Sequence, residues 1–171
     1  MHTLTLRGQF SGSILVAEQG RIIYERGFGK ADIKHNLVFT PDTPVYLASL
    51  TKQFTAMAVM MLAEQHKLSY GDPLSKYFPE FPSYAQKINI RNLLNHTSGI
   101  PDYVGIGVEH PGLTNREVLN ALIRQDSPRF GPGEKFEYSN SNYVLLGLII
   151  EKLSGEPYRV FLQKISSRRS A

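Results

Sequence analysis

The stretch Ala48–Gln65, ASLTKQFTAMAVMMLAEQ, has the sequence of a helix that is apolar on nearly every side. From Phe54 to Ala63 only Thr55 is polar, and a helix without a polar face is typical of the interior of a folded domain. The apolar run is shorter than the roughly 20 residues that a membrane-spanning helix needs. We therefore expect this helix to lie in a protein core, where the rest of the chain must cover it.

Lys52 stands at the beginning of this apolar helix. The first turn of a helix carries the positive end of the macrodipole, which favours anions, and a charge beside an apolar run is costly unless it is paired. Ser49 lies three residues earlier, a spacing that places both side chains on one face about one turn apart. Stability alone does not explain a lysine at this position.

A serine and a lysine at this spacing suit acyl transfer. A serine hydroxyl becomes a good nucleophile when a nearby base takes its proton, and burial favours the neutral lysine that can act as the base. Backbone N–H groups at the start of the helix can stabilise an oxyanion on the carbonyl that Ser49 attacks. The alternative is an N-cap serine followed by a lysine that only packs its stem on apolar neighbours. At ordinary residue frequencies, a chain of this length has a roughly even chance of containing at least one S-x-x-K by coincidence.

A second candidate site precedes another apolar helix. Tyr138 can act as a proton shuttle, and the amide of Asn140 can hold a substrate amide. Taken singly, Tyr-x-Asn is an ordinary loop with an asparagine in a turn. His96 lacks an acidic or histidine partner at metal-ligand spacing, so we expect it to have a structural role in the turn that follows it.

Composition limits the function classes. The chain has 171 residues, 42% of them hydrophobic, which suits one globular domain that buries about 70% of its unfolded surface. Its net charge of +4 is mild and its basic residues are mostly interleaved with acids, so we expect no nucleic-acid partner. The absence of cysteine excludes disulfides, a thiol nucleophile and cysteine-bound metals, and we expect no cofactor. The amino-terminal residues lack the apolar core of a signal peptide, and the localisation stays open.

Local patterns predict two strands followed by helices. Ser13–Ala17 and Arg21–Tyr24, joined through Gly20, have the β-branched residues and the turn of an antiparallel hairpin. Gly27-Phe28-Gly29 lacks the third glycine of a dinucleotide site and is expected to be the bend that ends the second strand. Helices are expected at Leu74–Phe78, at Ile90–Asn95, from the capping box Thr114-x-x-Glu117, and from about Ser141 to Leu153 before Gly155.

The chain resembles the penicillin-recognising serine hydrolases, which include class C β-lactamases, D-alanyl-D-alanine carboxypeptidases and related esterases. S-x-x-K is the nucleophile motif of this superfamily. The likeness extends from about Gly8 to about Gln163, and four blocks occur in the family's order. The blocks are FSGSILVAEQGRIIYERGFGKAD, HKLSYGDPLSKYFPEFP, IRNLLNHTSGIPDY and PGEKFEYSNSNYVLLGLIIEKLSGEPY.

The resemblance implies roles for four residues. Ser49 corresponds to the acylated nucleophile, Lys52 to its partner, and Tyr138 to the tyrosine that moves protons with the lysine. Asn140 corresponds to the asparagine that binds the amide side chain of the substrate. The chain has Tyr-x-Asn rather than Ser-Asp-Asn, and in this it resembles the class C and carboxypeptidase branch rather than class A. How lysine and tyrosine share the proton stays open, as does the choice among β-lactam, D-Ala-D-Ala peptide and ester substrates.

The resemblance also implies an incomplete fold. The family's third motif, Lys or His followed by x-Gly on a strand that lines the site, has no match after Tyr138. We therefore expect an α/β fold of the α+β type, β-lactamase/transpeptidase-like, in which the C-terminal sheet strands are missing. A single partial domain is expected over residues 1–171, with a hairpin at 10–28, a nucleophile helix at 49–65 and a helical region at 66–165.

These features favour a serine hydrolase with little or no activity as a fragment, since the missing strand supplies an oxyanion donor. The alternatives are a non-catalytic pseudo-enzyme that keeps only a binding pocket, and the product of a truncated gene. The expected partners are small-molecule or peptide substrates. Self-association through exposed apolar helices is a further expectation, because a lone hairpin cannot cover two helices this apolar. Relatives are commonly exported to the periplasm or cell envelope.

Overall fold

The structure is a computed structural model that describes residues 1–167. It contains two compact units, from Met1 to Ala48 and from Ser49 onwards. The expected single domain over the whole chain stays a prediction. Within residues 1–167, no helix combines the length and apolar character needed to cross a membrane.

The first unit is built around the predicted hairpin. Strand β1, Gly12–Glu18, pairs with β2, Arg21–Phe28, in an antiparallel register. Its two-residue loop has positive φ at both Gln19 (50°) and Gly20 (78°), the conformation of the tight turns that match strand twist. The predicted hairpin is confirmed.

Shorter elements flank the hairpin. Helix α1, His2–Leu6, precedes it, and β3, Lys30–Asp32, pairs with β4, Leu37–Val38, after it. The predicted bend at the end of the second strand is confirmed, since β2 ends and β3 begins around Gly29, whose φ is 72°. The sequence analysis missed α1, β3 and β4, which are too short to show a periodic pattern.

The second unit is helical. A 3₁₀ turn at Ala48–Thr51 runs directly into α2, and a second 3₁₀ turn lies at Ser83–Gln86. The α-helices are α2 (Lys52–Glu64), α3 (Leu74–Tyr77), α4 (Ile90–Leu94), α5 (Asn115–Ile123), α6 (Asn140–Ser154) and α7 (Tyr158–Ser167). All predicted helices are present, and the capping boxes include the expected one of Thr114 with Glu117. Helix α7 was not predicted.

Helix α6 lies at the centre of the second unit, in contact with α2, α4, α5 and α7. Its predicted burial is confirmed, because Leu145, Leu146, Ile149 and Ile150 are fully buried. The fully enclosed α2 expected from its sequence is wrong. Ala58, Val59 and Leu62 are buried, but Phe54 is 41% and Met60 52% exposed. Helix α2 packs against α6 and α7, and this packing leaves Phe54 and Met60 exposed.

Candidate active site

Ser49 and Lys52 are placed by the junction of the 3₁₀ turn and α2. Ser49 lies in the exposed turn, and Lys52, half-buried, is the first residue of α2. The Lys52 Nζ donates a hydrogen bond of 3.1 Å to the Ser49 Oγ. Ala48, directly before the serine, has a φ of 47°, a left-handed conformation that is costly for a residue with a Cβ. Such local strain is common at functional sites.

Tyr138 and Asn140 reach the same place from the start of α6. The Tyr138 hydroxyl lies 2.7 Å from the Ser49 Oγ, and either oxygen can be the donor. The Asn140 Oδ1 accepts a hydrogen bond of 2.9 Å from the Lys52 Nζ. The structure thus brings together all four residues that the sequence analysis singled out, although the two pairs lie nearly ninety residues apart.

The Lys52 ammonium group is surrounded by acceptors and aromatic faces. Its Nζ lies 4.9 Å from the ring centroid of Tyr138 and 5.6 Å from that of Tyr143. Ring faces attract cations through their quadrupole, and the Asn140 carbonyl adds a direct acceptor. This surrounding compensates the positive charge that the helix dipole disfavours.

The Tyr138 hydroxyl has an altered proton affinity. Burial acts to raise the pKa of this phenol, but hydrogen bonding with Lys52 and Ser49, together with the Lys52 charge, outweighs burial. The pKa of Tyr138 therefore lies below its ordinary value. A phenol that ionises more readily, in contact with a serine hydroxyl, can accept and return a proton.

The ring of His96 packs against the ring of Tyr138, a contact that the sequence analysis missed. Its buried ring lies 4.5 Å from the Tyr138 ring and 5.2 Å from the Tyr143 ring. The Nδ1 accepts a hydrogen bond of 3.2 Å from the Ser139 backbone N–H. Burial, followed by the charge of Lys52, lowers the pKa of His96. The expected position of His96 in a turn is right, since its φ is 59°, but no local pattern indicated its contact with Tyr138.

Asp102 holds the amino terminus of α6. Its Oδ2 accepts hydrogen bonds from the Asn140 backbone N–H at 2.7 Å and from the Asn140 Nδ2 at 2.9 Å. Ser139, the residue before the helix, makes no side-chain cap. The sequence analysis missed Asp102, whose local signal is only a turn, because its Oδ1 accepts from the Val104 N–H.

Within the described part of the chain, no group of three or more His, Cys, Asp or Glu side chains is placed to hold a metal ion. The polar groups that surround Ser49 are a lysine, a tyrosine and an asparagine. An ammonium group, a phenol and an amide suit proton transfer and hydrogen bonding to a substrate carbonyl.

Comparison with known proteins identifies the family. The Beta-lactamase family matches residues 5–165. Penicillin-binding protein 4* of Bacillus subtilis (strain 168) is 40% identical over 166 residues, which cover 94% of this chain and 36% of that protein. This chain spans between 32% and 38% of the length of the first curated relatives that it matches.

Solved structures show the same fold. The octameric penicillin-binding protein homologue from Pyrococcus abyssi has a TM-score of 0.80 at 34% identity, over 89% of this chain and 37% of that one. The D-amino acid amidase from Ochrobactrum anthropi SV3 has a TM-score of 0.77 at 30% identity, over 89% of this chain and 46% of that one. The predicted β-lactamase/transpeptidase-like fold of the α/β class is confirmed. The chain belongs to the Beta-lactamase family of penicillin-recognising serine hydrolases.

Proposed function

We propose that this chain acts as a serine hydrolase through an acyl-enzyme on Ser49. The observation that carries the proposal is the position of the Ser49 Oγ, 3.1 Å from the Lys52 Nζ and 2.7 Å from the Tyr138 hydroxyl. A nucleophile in hydrogen-bond contact with two proton-transferring groups is the arrangement that covalent catalysis needs.

In the acylation step the Ser49 Oγ attacks the substrate carbonyl carbon and gives its proton to the Lys52–Tyr138 pair. The pair can accept it either as a Tyr138 phenolate beside the Lys52 ammonium group or as a neutral Lys52 amine beside the Tyr138 phenol. The bond to the leaving group breaks, and the leaving group receives a proton from the same pair. Water then attacks the ester carbonyl, loses its proton to the pair and releases the acid, while the Ser49 Oγ regains a proton. The lowered pKa of Tyr138 supports its part in both steps, and Lys52 supplies the positive charge that favours the phenolate.

The substrate is held by hydrogen bonds from the start of the two helices. Backbone N–H groups of the 3₁₀ turn at Ala48–Thr51 stabilise the developing oxyanion. The Asn140 amide donates to an acceptor on the acyl side of the substrate. Since the relatives include penicillin-binding proteins and a D-amino acid amidase, we propose a β-lactam, a D-Ala-D-Ala peptide or an ester as the substrate class.

We propose that the polypeptide of these 171 residues turns over slowly. Between Tyr138 and Ala171 there is no Lys or His followed by x-Gly, the motif that would carry a second oxyanion donor. Loss of one such donor typically costs about 10² to 10³ in rate. Acylation is therefore easier to detect than turnover.

The test is covalent labelling. The chain is incubated with a fluorescent penicillin or a fluorophosphonate, and the modified residue is identified by mass spectrometry. We expect the label on Ser49 and none in Ser49→Ala, with Ser154→Ala as a control at a serine at the opposite end of α6. A parent protein that binds penicillin reversibly but leaves Ser49 unmodified would contradict the proposal and support the pseudo-enzyme alternative.

We also propose that the chain self-associates through the exposed side of α2, which carries Phe54 and Met60. Contiguous exposed apolar surface favours association. Sedimentation velocity over a hundredfold range of concentration should show a dimer or larger species, and Met60→Gln should shift the distribution towards the monomer. A monomer at every concentration would contradict this.

A further inference from the structure

Asn140 uses both ends of its side-chain amide. Its Oδ1 accepts from the Lys52 Nζ at 2.9 Å, and its Nδ2 donates to the Asp102 Oδ2 at 2.9 Å. An ammonium group is only a donor and a carboxylate is only an acceptor. The opposite orientation of the amide would place its NH₂ against the ammonium group and its oxygen against the carboxylate. The two charged neighbours therefore permit one orientation of the amide.

Asp102 is itself fixed in place. The same Oδ2 accepts from the Asn140 backbone N–H at 2.7 Å, while its Oδ1 accepts from the Val104 N–H at 3.0 Å. A negative charge at a helix amino terminus is favourable because of the macrodipole, and α6 is 15 residues long. Independent contacts secure the loop, because the Ser141 Oγ accepts from the Tyr103 N–H and donates to the Pro101 carbonyl, each at 2.8 Å.

The fixed amide leaves one hydrogen on Nδ2 without an assigned role. One Nδ2 hydrogen points to Asp102, and an amide nitrogen carries two. The second hydrogen remains for an acceptor such as a substrate carbonyl, at a site where Lys52 also contacts Ser49. A rotated amide would present an oxygen there instead, and it would release the Lys52 ammonium group from its acceptor.

We propose that Asp102 is a positioning residue, which orients the Asn140 amide so that Oδ1 holds Lys52 next to Ser49 and Nδ2 faces a carbonyl acceptor of the substrate. The inference rests on the proposed function, because Asp102 acts through Asn140 and makes no contact with the reacting serine. It predicts that loss of the acceptor oxygen at position 102 slows the labelling of Ser49, whereas a loss of loop stability alone does not.

The test compares Asp102→Ala, Asp102→Asn and the matched control Ser141→Ala. The asparagine variant keeps one acceptor oxygen for Asn140, whereas the alanine variant keeps none. Ser141→Ala loosens the same loop from the same helix without changing the partners of the Asn140 amide. Each variant is first checked by circular dichroism, and the second-order rate constant for labelling of Ser49 by fluorescent penicillin is then measured.

Asp102→Ala should label about 10 to 100 times more slowly than the parent protein, the range expected for loss of a hydrogen bond to a charged group. Asp102→Asn should recover most of this loss, and Ser141→Ala should label close to the parent rate even if its melting temperature falls. Equal rates for Asp102→Ala and the parent would overturn the inference. So would an equal loss in Ser141→Ala, or no recovery in Asp102→Asn.

A second readout separates this inference from the proposed function. The side-chain ¹⁵N–¹H resonances of Asn140, assigned by their loss in Asn140→Asp, report the orientation of the amide without any reaction. We expect a downfield-shifted hydrogen in the parent and in Asp102→Asn that is absent in Asp102→Ala. If the parent does not label at Ser49, the proposed function fails while this measurement still decides the role of Asp102. Unchanged resonances in Asp102→Ala would overturn the inference.

Discussion

At the scale of single residues, the Lys52 ammonium group is surrounded by groups that its own helix does not provide. The ring faces of Tyr138 and Tyr143 and the oxygen of Asn140 all come from α6 or the residue pair before it. The same neighbours keep the ammonium group 3.1 Å from the Ser49 Oγ. Packing of α6 therefore places an acceptor and two ring faces beside a cation that the start of α2 disfavours by itself.

Replacement of Tyr138 by phenylalanine isolates the role of its hydroxyl. The ring contacts with Lys52 and His96 are kept, while the 2.7 Å contact with the Ser49 Oγ is lost. We expect labelling of Ser49 by penicillin to slow by about 10² or more, as is typical for loss of an acid–base group. Tyr143→Phe is the matched control, because its hydroxyl bonds the Leu94 carbonyl away from Ser49. Equal rates in the two variants would contradict a proton-transfer role for Tyr138.

His96 should make stability depend on pH. Its pKa is lowered in the folded chain by burial and by the charge of Lys52, whereas the unfolded value is about 6.5. Below this value the unfolded state binds more protons than the folded state, so the free energy of unfolding should decrease as the pH falls. Protonation of Nδ1 would also break its hydrogen bond from Ser139. The neighbouring groups that influence this titration are Lys52, Asp102, Tyr138 and Tyr143.

The measurement is urea unfolding between pH 5.5 and pH 8. This range lies above the pH at which carboxylates such as Asp72 titrate. His96→Asn is the control, since asparagine tolerates the left-handed backbone of this position but does not titrate. The parent protein should lose stability at the acidic end relative to this variant. Parallel curves for the two proteins would show that His96 does not titrate on unfolding.

At the scale of elements, α6 was predictable because its signals are local. A continuous apolar pattern and the following Gly155 predicted its length and its burial, and both are confirmed. The hairpin and the capping box of α5 were predictable for the same reason. The positions of Asp102 and His96 at the candidate site were not predictable, because they depend on contacts with residues about 40 positions away. The exposed side of α2 does not follow from periodicity, which gives no count of the neighbouring elements. It agrees with the expectation that one hairpin cannot cover two apolar helices.

Gly147 in α6 and Gly155 directly after it should respond to alanine with opposite changes in the free energy of unfolding. Gly155 has a φ of 72° with open space around it, so Gly155→Ala should destabilise the chain by about 1 kcal/mol through backbone strain alone. Gly147 lies inside the helix, where an added Cβ would meet Asn115 and Tyr158 at 3.8 and 3.9 Å, ordinary contact distances. Gly147→Ala should therefore stabilise it by up to about 1 kcal/mol.

Chemical denaturation of both variants, followed by circular dichroism, checks this pair. Because the substitution is identical, any difference in sign must come from the backbone conformation and the surroundings. If both variants were destabilised equally, the left-handed backbone of Gly155 would not explain the loss of stability in Gly155→Ala.

At the scale of the whole molecule, burial is concentrated after Ser49. In residues 1–48, Phe28 is the single buried residue, whereas the second unit contains a continuous core that includes Leu62, Leu93, Leu122 and Leu146. A two-stranded hairpin is marginally stable by itself in water. Regions with few buried apolar contacts open at lower free energy than packed cores.

Amide hydrogen exchange should therefore differ between the two units. Amides of β1 and β2 should exchange within minutes, whereas those at the centre of α6 should be protected up to the global free energy of unfolding.

Alanine substitutions compare the stability contributions of the same two regions. Ile23→Ala, at a side chain 62% exposed, should change the free energy of unfolding by less than about 0.5 kcal/mol. Ile149→Ala, at a fully buried side chain, should cost about 2 to 5 kcal/mol. Equal protection of the hairpin and α6, or an equal loss of stability in Ile23→Ala and Ile149→Ala, would contradict this expectation.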